Sequence, residues 1–199
     1  LWGRAVCWFV FAWLAVAVIV AGLPSLGSVV GGVLASIPAF AILVAMLGRI
    51  RLQWSRIVAI GAGTVGVLGV FAVVDLQRPS ASQTHLGRLV ARVGTDPGSF
   101  GEVLTRKLDT NVHILTSSVW TLMVPVAIVL LAVMVWRSNG YLEALQDRVA
   151  VVRPTVVAGL VLCFLGFALN DSGVAVPAMM LAVFLPLLVW LVSVVDITP

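Results

Sequence analysis

The chain has 199 residues, of which 61% are hydrophobic and 10% charged, and its formal net charge is +4 at pH 7. Soluble domains average about 45–50% apolar and about 25% charged residues, so this composition excludes a water-soluble globular protein and predicts an integral membrane protein. Basic residues beside long apolar runs are typical of orientation signals and lipid-headgroup contacts, and we therefore expect no nucleic-acid partner.

Six apolar stretches predict an all-α, polytopic membrane protein with about six transmembrane helices, because a spanning helix needs about 20 mostly apolar residues. The predicted spans are residues 5–21, 29–47, 57–74, 116–136, 156–169 and 174–195. They form a single transmembrane domain over residues 1–199, and the absence of a methionine before Leu1 suggests a portion of a longer protein. The fifth span is the shortest, so either Arg153–Thr155 snorkels into the interface or the turn Asn170–Gly173 dips below the membrane surface.

Small residues predict close helix packing in the second and third spans. Four of them recur every four residues, at Gly27, Gly31, Ala35 and Ala39. This spacing lets two membrane helices approach closely. The third span contains Gly61–Gly66, which formally matches the dinucleotide motif G-x-G-x-x-G. That motif needs a strand, a turn and a helix, whereas here an apolar run continues to Val74, so we interpret these glycines as a helix-packing surface.

Polar residues are frequent in only one long stretch, residues 75–113, and we expect function to lie there. Two short amphipathic interfacial helices are predicted inside it, between the third and fourth spans. The first has apolar residues at helical spacing from Leu86 to Val93. The polar residues on its other face are His85, Arg88 and Arg92. The second begins at the capping-box pattern Ser99–Glu102, and its grouped polar residues are Arg106, Asp109 and His113. Helices of this kind commonly lie in the membrane interface.

The distribution of basic residues predicts which side of the membrane this stretch occupies. Seven of the twelve basic residues fall on the side of the N-terminus and of the loops 49–56 and 137–153, and five fall on the other side. The positive-inside rule places the first set in the cytoplasm. Residues 75–113 and the turn Asn170–Gly173 then face the extracytoplasmic side of the cytoplasmic membrane together.

An anionic ligand is the simplest reason for arginines on the outer side, because a guanidinium plane matches phosphate or carboxylate. The candidate ligand-binding residues are Asp75, His85, Arg88, Arg106, Lys107, Asn170, Asp171 and Ser172. Asp171 is the best single candidate, since an acid at the edge of a span is costly unless it is paired or functional. An N-cap role for the last helix explains Asp171 or Ser172 equally well. The alternative for the arginines is contact with ordinary headgroups by helices lying on the bilayer.

No catalytic, metal or cofactor motif is recognisable. His85 and His113 lie on separate predicted helices without a matching pair of carboxylates, which is too little for a metal site. Cys7 and Cys163 fall in apolar runs and are interpreted as small buried hydrophobic residues. We therefore predict no metal and no cofactor, and we expect any catalysis to reside in another portion of the protein.

Three short polar motifs occur in order along the chain: Thr84–Arg88, Arg106–Asn111 and Asn170–Ala178. Together they resemble the C-terminal membrane region of bacterial polytopic proteins known as alkaline-phosphatase-like integral membrane proteins. The resemblance implies a longer parent protein with an extracytoplasmic portion before Leu1, handling phosphorylated envelope material in a high-GC Gram-positive bacterium. It transfers no catalytic site, because the metal-binding residues expected of an alkaline phosphatase do not occur in this chain.

We interpret the chain as the membrane part of an envelope protein that engages a phosphorylated or otherwise anionic ligand. The expected partners are membrane lipids, an anionic or phosphorylated envelope lipid, and a second membrane helix on the glycine faces. Two alternatives stay open. A transporter or flippase domain is favoured by the short fifth span and the prolines of the sixth, and it requires Asp171 to face a water-filled path. A membrane anchor or assembly module is favoured by the glycine faces.

Overall fold

Helices make up the regular structure of the residues that the computed structural model describes, which are 4–96, 98–117, 119–136, 141–170 and 173–194. The helices are α1 (Arg4–Gly22), α2 (Val30–Leu47), α3 (Trp54–Leu76), α4 (His85–Thr95), α5 (Ser99–Ser117), α6 (Val119–Trp136), α7 (Tyr141–Arg148), α8 (Val152–Leu169) and α9 (Ala175–Val194). A 3₁₀ turn (Ser80–Ser82) precedes α4. These ranges contain no strand, so the all-α prediction is confirmed.

Three of these helices, α2, α3 and α8, are long and apolar enough to cross a membrane. Shorter apolar stretches lie within α1, α6 and α9, at Trp8–Gly22, Thr121–Val133 and Ala175–Leu191. Each predicted span therefore overlaps an apolar helix, and the chain has helices that are suited to crossing a membrane. A total of six crossings stays a prediction.

Helix α8 is longer than the apolar run, residues 156–169, from which it was predicted. It begins at Val152, so its 18 residues reach about 27 Å at 1.5 Å per residue. Pro154 lies in its first turn, where the missing N–H has no intrahelical partner to lose. The Thr155 hydroxyl donates to the Val151 carbonyl at 2.7 Å. Residues 152–155 supply this extra length as the first turn of α8, so the segment that we predicted to snorkel into the interface is helical.

Helix α2 packs along α8 and is flanked by α1 and α3. Its small-residue face makes the predicted close approach at Gly31, Ala35 and Ala39, and the two alanines are buried, whereas Gly27 lies exposed in the turn before the helix. At Gly31 an added Cβ would lie 2.6 Å from the carbonyl oxygen of Leu169 and 2.7 Å from the Cα of Asn170. Only glycine allows these two backbones to meet so closely.

The glycines of α3 behave differently from those of α2. Helix α3 continues unbroken from Trp54 to Leu76, so the turn required by a dinucleotide loop is not formed. However, Gly61, Gly63, Gly66 and Gly69 are exposed, and a Cβ added at any of them would meet nothing within 4 Å. The packing that we predicted for these glycines is therefore not made within the described part of this chain.

One apolar cluster holds α4 against the membrane helices. Leu86 in the first turn of α4 packs with Val33 of α2 and with Phe71 and Ala72 near the end of α3. Burying large apolar side chains contributes about 1.5–3 kcal/mol each, so this contact attaches α4 firmly to the end of α3. The contact also places the apolar side of the start of α4 against helices α2 and α3.

Several loops and helix segments meet at one end of the bundle, which we call the polar end. They are residues 23–29, 75–88, 106–113 and the described part of 167–173. Arg78 donates to the carbonyl of Pro24 at 3.0 Å, joining the α3–α4 connection to the α1–α2 loop. Asn111 of α5 donates to the carbonyl of Phe167 in α8 at 3.1 Å. The polar stretch and the α8–α9 turn therefore share one end of the fold.

Candidate functional site

Asp75 is the most deeply buried polar residue described at the polar end, with 0% of its surface exposed. It lies in the last turn of α3, and its carboxylate accepts hydrogen bonds from the amides of Thr84 (2.9 Å) and Gly87 (2.8 Å) and from the Thr84 hydroxyl (2.7 Å). The first amides of a helix have no intrahelical acceptor, and their positive end favours an anion. Asp75 therefore acts as a cap for α4 that is supplied by another helix.

Thr84 and Gly87, at the start of α4, complete this cap. Thr84 is the N-cap residue of α4, and its hydroxyl accepts from the Leu86 amide at 3.2 Å while donating to Asp75. At Gly87 an added Cβ would lie 2.5 Å from the Asp75 Oδ2 atom. The close approach of the carboxylate to the helix thus requires glycine at position 87.

Arg78 supplies the compensating charge. Its guanidinium lies 3.5 Å from Asp75 Oδ1 and donates to the Pro24 carbonyl. Fully buried carboxylates are costly unless they are paired and hydrogen-bonded, and here both conditions are met. Asp75 consequently holds the loop, α3 and α4 together, and it does not present a free carboxylate to a ligand.

A second cap joins α5 to the turn between α8 and α9. Asn111 is buried, and it donates to a carbonyl in the last turn of α8, where carbonyls have no intrahelical donor. Gly173 has φ +49°, a left-handed conformation that favours glycine. A Cβ there would lie 2.9 Å from Asn111 Oδ1. The turn and α5 therefore fit each other closely.

Replacing Asn111 with leucine tests this second cap. We expect a loss of about 1 kcal/mol in the free energy of unfolding, because the half-buried Phe167 carbonyl would lose its donor. Thr110→Ala is the control, since the exposed Thr110 hydroxyl bonds only within its own helix. Denaturant titration in mild detergent micelles measures both, and equal stability of the two variants would contradict the cap.

The predicted ligand-binding residues divide into four groups. Asp75 is buried in the cap, while His85, Arg88 and Arg106 are exposed. Asn170 is half-buried beside Gly31. The remaining predictions, Asp171, Ser172 and the side chain of Lys107, lie outside the described part of the chain. The structure therefore assigns the polar end both a buried framework and an exposed cationic face.

That exposed face, which we call the basic surface, consists of Arg88, Arg92, Glu102 and Arg106. Arg88 and Arg92 are one turn apart on α4, and Arg92 lies 3.9 Å from Glu102 of α5. Glu102 and Arg106 are in turn one helical turn apart on α5. Among the described residues, no carboxylate forms an ion pair with Arg88 or Arg106. These four residues together carry three positive charges and one negative charge.

The sequence analysis assigned no role at the site to four residues that build it: Arg78, Thr84, Gly87 and Asn111. Thr84 carried a readable signal, since a threonine directly before an apolar-periodic segment is a typical N-cap. The partners of Arg78 and Asn111 are 54 and 56 residues away along the chain, so no local pattern identifies them.

A scan against protein-family models, a search of curated proteins and a search of solved structures each found no match to this chain. The likeness to alkaline-phosphatase-like membrane proteins stays a hypothesis based on the three motifs. Each motif contributes at least one residue to the polar end: Thr84 and Gly87, Asn111, and Gly173.

Proposed function

We propose that this chain is the membrane domain of a bacterial envelope protein, a multi-pass protein of the cytoplasmic membrane, and that its polar end binds a phosphorylated or otherwise anionic ligand on the extracytoplasmic side. The observation that carries this proposal is the excess positive charge of the basic surface. Arginines that pair with no neighbouring carboxylate offer several N–H donors each, in a fork suited to phosphate oxygens. The buried cap keeps α4, and with it Arg88, at a fixed place on the bundle.

Anion binding by purified protein tests this proposal. The protein is placed in phosphatidylcholine nanodiscs, and soluble polyphosphate and a labelled phosphatidylglycerol are offered separately. We expect Arg88→Gln/Arg106→Gln to weaken binding of at least one probe about tenfold or more, since charge-assisted hydrogen bonds to phosphate are lost.

The matched control is Arg51→Gln/Arg153→Gln, which removes two exposed arginines outside the polar end and the same net charge. We expect this control to change binding less than about twofold, because long-range attraction between exposed charges is screened by salt. Binding of neither probe, or equal loss in both variants, would contradict the proposal.

A membrane anchor or assembly module is a second candidate, favoured by the exposed glycines of α3. Glycine within a helix costs about 0.5–1 kcal/mol relative to alanine, and these glycines gain no contact within the described residues. A partner helix packed on them would account for their presence. An anchor keeps its function in the Arg88→Gln/Arg106→Gln variant, which separates the two candidates. A transporter or flippase domain stays a third candidate. It would require Asp171 to face a water-filled path.

A further inference from the structure

We infer that the end of the bundle opposite the polar end carries a belt of tryptophans that lies in the headgroup layer of one membrane leaflet. The tryptophan belt consists of Trp8 in α1, Trp54 in α3, Trp136 in α6 and Trp190 in α9. Helices α1 and α3 flank α2, while α6 and α9 flank α8, so each outer helix contributes one tryptophan and the central pair contributes none. The belt is remote from the basic surface and does not depend on anion binding there.

Two members of the belt lie at the ends of α1 and α3 that point away from the polar end. Helix α3 finishes at the polar end, where Asp75 caps α4, so its first residue, Trp54, lies at the other end. Gly22, the last residue of α1, packs so closely on Phe71 that an added Cβ would overlap that side chain. Helix α1 therefore runs in the same direction as α3, and Trp8 in its second turn lies near the same end as Trp54.

The other two members reach this end through α6 and α9. Helix α6 follows α5, whose Asn111 is fixed at the polar end, and its Leu131 lines a small cavity beside the first half of α8. Trp136, the last residue of α6, therefore lies near the start of α8. An added Cβ at Gly166, near the end of α8, would lie 2.7 Å from a side chain in the first turn of α9. Helix α9 therefore begins at the polar end, and Trp190 lies in its far part.

The length of α3 matches the distance between the two boundaries of a bilayer core. The helix rises about 32 Å from Trp54 to Asp75 at 1.5 Å per residue, close to the hydrocarbon thickness of about 30 Å. With the capped start of α4 at one boundary, Trp54 lies at the other. Helices α1, α6 and α9 then reach that second boundary with Trp8, Trp136 and Trp190, although their apolar stretches are shorter than α3.

The exposure of the belt and the charges around it select lipid headgroups as its partner. Trp54 and Trp136 are 81% and 72% exposed. An indole combines a large apolar surface with one N–H donor, so it suits the layer where acyl chains meet polar headgroups. At this end, the exposed charged side chains that the structure describes are Arg49, Arg51, Arg56, Arg148, Arg153 and Asp147. This excess of cations complements a negatively charged headgroup layer.

Fluorescence quenching by brominated lipids tests the depth of the belt. Variants that keep one belt tryptophan, with the other tryptophans replaced by phenylalanine, are placed in phosphatidylcholine bilayers brominated either near the headgroup or near the end of the acyl chain. We expect bromines near the headgroup to quench each belt tryptophan about twofold or more strongly than bromines at the chain end. A variant that keeps Trp13 is the control, because Trp13 is 62% exposed in the middle of α1. We expect the opposite order for it.

Trp54→Phe/Trp136→Phe in otherwise wild-type protein gives a second measurement that needs only two exposed replacements. We expect it to lower quenching by bromines near the headgroup and to leave quenching by bromines at the chain end nearly unchanged. Quenching of the belt by aqueous iodide but by neither brominated lipid would overturn the inference, since the belt would then lie in water, open to another protein. Stronger quenching of Trp54 and Trp136 by bromines at the chain end would overturn it as well.

Discussion

Asp75→Ala is expected to lower the free energy of unfolding by about 3 kcal/mol or more, because three donors at the start of α4 lose their buried acceptor and half-buried Arg78 loses its ion-pair partner. The amides of Thr84 and Gly87 would stay at a buried helix start with no partner. The unfolding is followed by denaturant titration in mild micelles, with the buried thiol of Cys163 as the reporter in a Cys7→Ala background.

Asp109→Ala is the matched control, since Asp109 is an exposed acid at the same end of the bundle. Exposed substitutions usually change stability by less than about 0.5 kcal/mol. Gly87→Ala should resemble Asp75→Ala, because its methyl group would displace the Asp75 carboxylate. Equal stability of Asp75→Ala and Asp109→Ala would show that the cap does not hold α4.

Gly31→Ala is expected to destabilise the protein by about 2 kcal/mol, in the range of overpacking substitutions. The added methyl group would lie 2.6 Å from the Leu169 carbonyl oxygen and 2.7 Å from the Asn170 Cα. These are backbone atoms that cannot rotate away, so α2 and the end of α8 must separate.

Gly66→Ala is the control, and its effect should have the opposite sign. A methyl group at this exposed position of α3 meets nothing within 4 Å, and alanine is better than glycine in a helix by about 0.5–1 kcal/mol. Denaturant titration of the two variants compares them directly. If Gly31→Ala and Gly66→Ala both destabilise the isolated chain, the two glycines do not differ in packing, and the account of α2 and α3 is contradicted.

The membrane helices and α4 could be predicted because their signals are local. Apolar length identified α2 and α3, and apolar residues at helical spacing from Leu86 to Val93 identified α4 as an amphipathic helix. The start of α8 was missed by a few residues, because Arg153 and Thr155 interrupt the apolar run although they belong to the helix.

The role of Asp75 could not be predicted, because it depends on a tertiary contact. A carboxylate at the end of a predicted span suggested a ligand, and only the folded chain shows that the first turn of α4 occupies it. Asn111 is similar, since its acceptor belongs to another helix. The small residues of α2 and the glycines of α3 gave the same signal, but whether a neighbour reaches such a face depends on how the other helices pack.

Topology in intact cells tests most directly whether the polar end lies outside a membrane crossed by α3. Single cysteines at Gln53 and Ser82, in a background of Cys7→Ala and Cys163→Ala, are exposed beyond opposite ends of α3. The helix spans about 35 Å at 1.5 Å per residue, more than the hydrocarbon core of about 30 Å. With an impermeant thiol reagent, we expect Ser82→Cys to react in intact cells and Gln53→Cys to react only after permeabilisation. The reverse pattern, or reaction of both positions in intact cells, would contradict the extracytoplasmic placement of the polar end.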